Sequence, residues 1–331
     1  MKLSNIFSVQ IKDSRLIITF FNKTLKTRYS AKKKIELLKE EIKLRNEKLL
    51  YKIHKYLPAE KRPEALCDWY FEQTGKNLNL KNPKTFNEKI QWSKLYDTTP
   101  LKTLLADKYL VRQYVKDKIG EEYLINLYGV WDNFDDIDFD ILPETFVLKC
   151  NHGSGYNIIV KDKAKFDKAD AKRKIDAWMA EDYAFRYGFE MQYSDIPKKI
   201  IAEQYIQSKD KDLEEYNITC FQGKADFIIN DILINSTRKR NLYDTEWNLL
   251  PYKISHYENF HSKEKPSYLE KMIDLAQKLS EGINYVRVDL YHTKGKIYFG
   301  EMTFTSSSGT SPIAPESFDK RLADLFKLPI D

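Results

Sequence analysis

VRVDLYHTKGKIYFGEMTF, residues 286–304, decides how this chain is read. Two apolar strands flank Thr293-Lys294-Gly295, and each strand carries one acid, Asp289 and Glu301. Side chains alternate faces along a strand, so the length of the turn decides which residues meet. A three-residue loop with Gly295 left-handed pairs His292 with Lys296. Arg287 then lies opposite Glu301, Asp289 is diagonal to Glu301, and Thr303 shares their face. A two-residue loop breaks this parity and sends the acids to opposite faces. Two carboxylates that close repel each other unless a cation sits between them. Arg287 supplies part of that charge. A Mg2+ ion, held by one or two carboxylates with nucleotide phosphates and water, supplies more. The competing reading is a plain Arg287–Glu301 cross-strand pair with Asp289 in solvent, and taken alone the hairpin leans to it.

A second stretch, TFVLKCNHGSGYNIIV (145–160), reads as strand, glycine-containing loop, strand. Successive backbone amides in His152-Gly153-Ser154-Gly155 suit an anion nest. The spacing is neither a Walker loop nor a dinucleotide fingerprint, and an ordinary hairpin turn is the commoner origin of a lone GSG. Lys149 lies in the apolar strand before the loop, where a lysine needs an anion to offset its desolvation. Lys108, in ADKYLVRQY, is a second candidate cation. KIIAEQYIQSKDKD (199–212) runs an apolar strand into Glu203 and a polar tail. Gln204 and Ile206 offer backbone groups to an adenine ring, Glu203 a side-chain acceptor, and Asp210 a ribose contact. An edge strand with protective charges explains the same residues.

The remaining pattern is mixed. Residues 8–22 read as two strands around Lys12-Asp13-Ser14, and 30–57 as a long helix capped by Ser30. In that helix Ile35, Leu38, Ile42, Leu49 and Ile53 recur at helical spacing. A Thr85–Glu88 capping box opens a helix over 82–96, and 101–120 reads as one amphipathic helix ending at Gly120. Strands are expected at 145–150, 157–161, 199–206, 215–221 and 224–231, with helices at 163–184 and 266–281. The result is an α+β chain with mostly antiparallel pairing. Domain boundaries are expected at 1–75 (a basic extension of hairpin and helix), 76–145 (a helical region) and 146–331 (the nucleotide and metal site).

With 331 residues, 42% hydrophobic and 14% aromatic, the composition is globular. No apolar run approaches the roughly 18 residues of a membrane span, and no secretory signal is legible. Cys67, Cys150 and Cys220 form no CxxC, and the five histidines show no zinc spacing, so a reducing cytoplasmic setting is expected. The net charge of +6 is concentrated before residue 62. That excess suits an anionic surface or a phosphate-bearing substrate, though a solvated helix face is the commoner explanation.

In chain order, DK (107–108), VLK (147–149), the GSG loop, IIAEQYI (200–206) and RVDL…YFGEMTF (287–304) resemble the ATP-grasp superfamily. Within it, TFNEKIQW, LADKY, GVWD, LKCNHGSG and RVDLY…GKIYFGE are similar to the TupA-like ATP-grasp proteins, associated with teichuronopeptide and other bacterial surface-polysaccharide loci. The resemblance covers roughly residues 80–310. It implies two α+β subdomains clasping ATP. It also implies Lys108 and Lys149 on phosphates beneath the 152–155 loop, and Glu203 to Ile206 on adenine with Asp210 on ribose. Asp289 and Glu301 would then hold Mg2+, and Arg287 would face the transferring phosphoryl group. Thr303 stands where ATP-grasp ligases commonly carry a metal-binding Asn, which puts a second metal in doubt. Ser306, Ser307, Ser308 and Gly309 follow where related ligases bind a substrate carboxylate.

The implied activity is a carboxylate–amine ligase joining an amino acid to a sugar acid through an acyl phosphate, with Lys149 and Arg287 acting on the phosphoryl group. A kinase or other phosphotransferase is the first rival and a glycosyltransferase the next. A nucleic-acid binder stands last, and no nucleic acid is expected. Residues 1–57 are expected to contact a membrane surface or a partner enzyme.

Overall fold

The computed structural model describes residues 7–12, 15–20, 23–27, 31–206, 214–234 and 237–329. The chain divides into two compact units, residues 1–53 and 54–331. In the first, β1 (Phe7–Lys12), β2 (Arg15–Phe20) and β3 (Lys23–Thr27) form an antiparallel meander. The first two are the strands expected around residues 12–14; the third lies in a basic run without a clear strand pattern. Helix α1 (Ala31–Tyr56) follows, with Leu49 and Ile53 of its apolar stripe exposed. Ser30 lies outside the described residues.

The second unit opens with helices α2 (Arg62–Thr74), α3 (Phe86–Tyr96), α4 (Pro100–Ala106) and α5 (Val111–Ile119). The capping box forms: Glu88 N donates to Thr85 Oγ1 at 3.2 Å, and Thr85 N to Glu88 Oε2 at 2.9 Å. The single helix expected over 101–120 is broken. Asp107 Oδ1 accepts from Tyr109 N (2.7 Å) and Leu110 N (3.1 Å), and these bonds turn the chain between α4 and α5. That corner presents Lys108.

Strands β4 (Leu127–Trp131), β5 (Phe146–Cys150), β6 (Asn157–Val160) and β7 (Ile200–Gln204) make an antiparallel sheet in the order β4-β7-β5-β6. Helix α6 (Lys168–Ala180), shorter than the 163–184 expected because Asp167 caps it, covers the face bearing Phe146, Leu148, Ile200 and Ala202. The larger sheet takes β8 (Glu214–Phe221), β9 (Lys224–Ile234) and β10 (Thr237–Asp244). After β11 (Lys253–Ile254) and α7 (Leu269–Ser280) it takes β12 (Tyr285–Thr293) and β13 (Lys296–Thr303), giving the order β10-β9-β8-β12-β13. Strand β14 (Ile313–Ala314) pairs with β11, and α8 (Glu316–Leu325) ends the fold. Ile218, Val286, Val288, Leu290 and Met302 are buried against α5 and α7. Each such aliphatic contributes about 1.5–3 kcal/mol over exposure. On the opposite face Phe221, Phe227, Ile229, Leu242 and Tyr285 pack with Phe86, Phe318 and Phe326, and Asn217, Arg287 and Asp289 share that face.

The hairpin corrects the expected register. Its loop has two residues: Thr293 pairs with Lys296, while Lys294 (φ 50°) and Gly295 (φ 74°) take the left-handed values of a type I′ turn. That loop alone would separate the acids. A bulge at Gly300 restores the parity, since Leu290 pairs with Phe299 but Asp289 pairs with Glu301. Arg287 therefore faces Thr303, with all four on one face. Gly300 has no room for a side chain: a Cβ there would lie 2.9 Å from the Asp289 carbonyl oxygen.

Candidate active site

The polar side chains of the two sheets meet through the corner at Lys108. Its Nζ donates to the Gly153 carbonyl at 2.6 Å and lies 3.5 Å from Glu301 Oε2. From Glu301 the contacts continue along the large sheet. Thr303 Oγ1 donates to Glu301 Oε1 (3.1 Å), Arg287 Nη2 donates to Thr303 Oγ1 (3.2 Å), and Arg287 Nε donates to Asp289 Oδ1 (2.7 Å). Burial pushes the Asp289 carboxyl up to about 8, against the pull of Arg287. Burial also acts to raise Glu301, but Lys108 and then Arg287 outweigh it and hold that carboxyl below its usual range.

On the small sheet Val147 pairs with Glu203 and Lys149 with Ile201, so Lys149 and Glu203 are diagonal on the face away from α6. Lys149 Nζ donates to Glu203 Oε2 at 2.7 Å, and Arg112 Nη1 donates to Glu203 Oε1 at 3.1 Å. The anion that offsets the desolvation of Lys149 is therefore this glutamate. Gln204 is exposed and its N–H is committed to the Asn126 carbonyl at 2.9 Å; Ile206 is half-buried just beyond the strand. Asp210 lies outside the described residues.

In the glycine loop Ser154 and Gly155 are exposed, and Gly155 has φ 76°. Gly153 is wedged against Tyr183 and Tyr156, where a Cβ would come within 2.6 Å of a ring atom. The His152 imidazole turns away from the loop and its Nε2 lies 3.0 Å from the Trp178 carbonyl. Burial pushes it down to about 4. What the loop offers an anion is therefore main chain and the exposed Ser154 hydroxyl, not the imidazole.

The turn after β13 is held hard. Ser307, Ser308 and Gly309 have φ of 49°, 50° and 65°. The Ser306 hydroxyl accepts from Tyr285 OH at 2.9 Å, and Ser308 Oγ donates to Glu190 Oε1 at 3.2 Å.

Several residues here escaped the sequence reading. Asp107 and Asn151, both buried, join Asn151 Nδ2 to Asp107 Oδ1 at 2.9 Å and so fix the Lys108 corner to the base of the glycine loop. Their signal was adjacency, Asp107 to Lys108 and Asn151 to His152. Asn217 faces Asp289 across β8 and β12, and its buried Oδ1 has no partner. Only pairing shows that neighbour. Lys94 was legible as a lysine at a core position, four residues beyond Ile90 and eight beyond Phe86.

A family model for TupA-like ATPgrasp proteins matches residues 88–327, more than two thirds of the chain. The chain belongs to that family. No curated protein sequence matches it. Among solved structures, the TupA-like chain is similar to a D-alanine–D-alanine ligase from Bacillus anthracis crystallised with ATP, at 18% identity and TM-score 0.40, with 67% of this chain and 63% of that one covered. It is also similar to the ATP-grasp ligase PsnB with its minimal precursor, Mg and ADP, at 8% identity and TM-score 0.37, covering 70% and 62%. A third is the N5-carboxyaminoimidazole ribonucleotide synthetase of Thermus thermophilus, at 9% identity and TM-score 0.34, covering 61% and 45%. The chain thus spans less than two thirds of the length of these structures.

The family's description is ATP-grasp, and the PsnB structure holds Mg and ADP. The donor set of this TupA-like chain fits a hard cation: two carboxylates in register, the Thr303 hydroxyl and the orphaned Asn217 amide oxygen, with neither sulfur nor imidazole among them. Among the described residues no group of three or more His, Cys, Asp and Glu forms a closed metal site. Two acids and a hydroxyl leave coordination positions for phosphates and water.

Proposed function

We propose that this TupA-like chain is an ATP- and Mg2+-dependent carboxylate–amine ligase of surface-polysaccharide assembly, joining an amino acid or similar amine to a sugar acid. The observation that carries the reading is the convergence of Lys108 and Arg287 on the paired carboxylates Asp289 and Glu301, with Lys149, held by Glu203, near enough to pull on Glu301. It suits a reaction that moves a phosphoryl group without a protein nucleophile. The pathway rests on the family's association with surface-polysaccharide loci.

Bound ATP with Mg2+ would supply the phosphoryl donor and the charge that neutralises it. Asp289, Glu301 and Thr303 would hold the metal, with Asn217 beside them. Lys108 and Lys149 hold phosphate oxygens, the amides of residues 152–155 cover them, and the segment Glu203–Ile206 seats the base. Arg287, kept charged by Asp289 and Glu301, faces the group in transfer. The acceptor carboxylate attacks the γ-phosphorus, ADP departs, and the amine displaces phosphate from the resulting acyl phosphate. Covering that intermediate keeps water from it. Ser306–Gly309 lines the acceptor side. Residues 1–57 dock on a membrane surface or a partner enzyme, an assignment favoured by the exposed Leu49 and Ile53 among the basic residues of α1.

The test is ADP release against panels of amino acids and uronic acids with product masses read out. The expected product is the sum of acid and amine less one water. A phosphorylated sugar stable to amines would replace the ligase reading with a kinase.

A further inference from the structure

Between α3 and the turn after β13 lies a buried polar cluster that the phosphoryl chemistry does not use. Lys94 is completely buried, yet its ammonium reaches two main-chain acceptors from distant parts of the chain: Tyr187 O at 2.9 Å and Ser308 O at 2.8 Å. Its Nζ also lies 4.4 Å from the centre of the Trp69 ring. One turn earlier on α3, Gln91, also completely buried, donates from Nε2 to Ser308 O (2.8 Å) and Gly309 O (2.9 Å). Glu190, 3% exposed, takes the Ser308 hydroxyl, and Gln192 Nε2 donates to Thr305 Oγ1 at 3.0 Å.

Two consecutive left-handed serines leading into a left-handed Gly309 form a costly backbone, and it persists only where its surroundings over-determine it. Gly309 has no room for a side chain, because a Cβ would sit 2.6 Å from Gln91 Nε2. Burying an ammonium is expensive too, and a well-packed apolar side chain would cost less. Both costs fall on one turn, and that turn follows directly from the strand carrying Glu301 and Thr303.

We propose that Lys94 is a positioning residue for the acceptor: with Gln91 it clamps the Ser306–Gly309 turn against the 183–195 segment, and that placement sets how well the acceptor acid binds. The proposal rests on the ligase reading for what the turn contacts. The clamp itself does not depend on it.

The test uses the full chain carrying Lys94→Met or Gln91→Met. Amide hydrogen exchange in residues 305–310 is expected to rise about tenfold while β12 and β13 keep wild-type rates. In ADP release with glycine and the most active uronic acid of the panel, the KM for the acid is expected to rise about tenfold and the KM for ATP to stay within about twofold. Gln91→Met, which leaves Lys94 and its two main-chain contacts in place, carries the same comparison should Lys94→Met fail to fold. Unchanged exchange at 305–310 overturns the clamp. A KM for ATP that rises in step with that of the acid, or an unchanged KM for the acid beside a loosened turn, overturns the positioning role. If wild-type protein releases ADP with no acid at all, the ligase reading fails, and the exchange data still decide the clamp.

Discussion

Glu203 holds Lys149 and Arg112 at once and is only 6% exposed, so removing the glutamate leaves both cations without their carboxylate. Glu203→Gln is expected to cost about 3 kcal/mol in chemical denaturation, the lower end for a broken buried pair because Lys149 keeps some solvent. Lys149→Ala and Glu301→Ala are expected to lower ATP turnover by on the order of 10²–10³ with circular dichroism unchanged. Full activity in either variant would remove them from the site. His152 gives a pH dependence. Its folded value of about 4 lies below the ordinary 6.5, so the unfolded chain binds the extra proton. The stability it contributes is complete above pH 6.5 and is lost as pH falls toward 4, by about 3 kcal/mol. His152→Gln should flatten that part of the acid unfolding curve, and an unaltered curve would refute the account. Lys108, Lys149, Arg287, Asp289 and Glu301 were all legible from residue type and neighbours. The partner of Lys149 was not, because a diagonal contact between strands 54 residues apart exists only once the sheet is paired.

Element geometry decided what residue types left open. The hairpin's acids were placed on one face for the wrong reason: a three-residue loop and a two-residue loop with a bulge give the same parity. Nothing in KGK (294–296) separates the two, and Gly300 carried the missing information. Gly300→Ala is therefore expected to cost about 1–3 kcal/mol from crowding against the Asp289 carbonyl. It should also weaken MgATP binding at least tenfold by calorimetry, since the bulge aligns Asp289 with Glu301. Lost stability with unaltered affinity would show that the bulge does not align them. The helix over 101–120 failed as a single element because Asp107 fits an amphipathic pattern as well as it fits a cap. β4 and β10 were missed because neither alternates cleanly: every residue of β4 is half-buried, and β10 begins in charge.

At the level of the chain, every proposed site residue that is described lies in the 54–331 unit. Deleting residues 1–53 is expected to leave MgATP affinity within about twofold and the main melting transition in place, while changing membrane fractionation or partner recovery. A collapse of the transition would show that the two units fold as one. Within the larger unit the 183–195 segment is fastened at both flanks. Near its start Arg186 donates to Glu181, itself bonded to Tyr156 beside the glycine loop, and near its end Gln192 and Glu190 hold the turn that follows β13. Such a segment works as a tie-rod between the two sheets. If this site takes ATP as proposed, that tie would limit how far the two sheets spread, and the exposed Ser154 and Gly155 would be left to yield around the nucleotide.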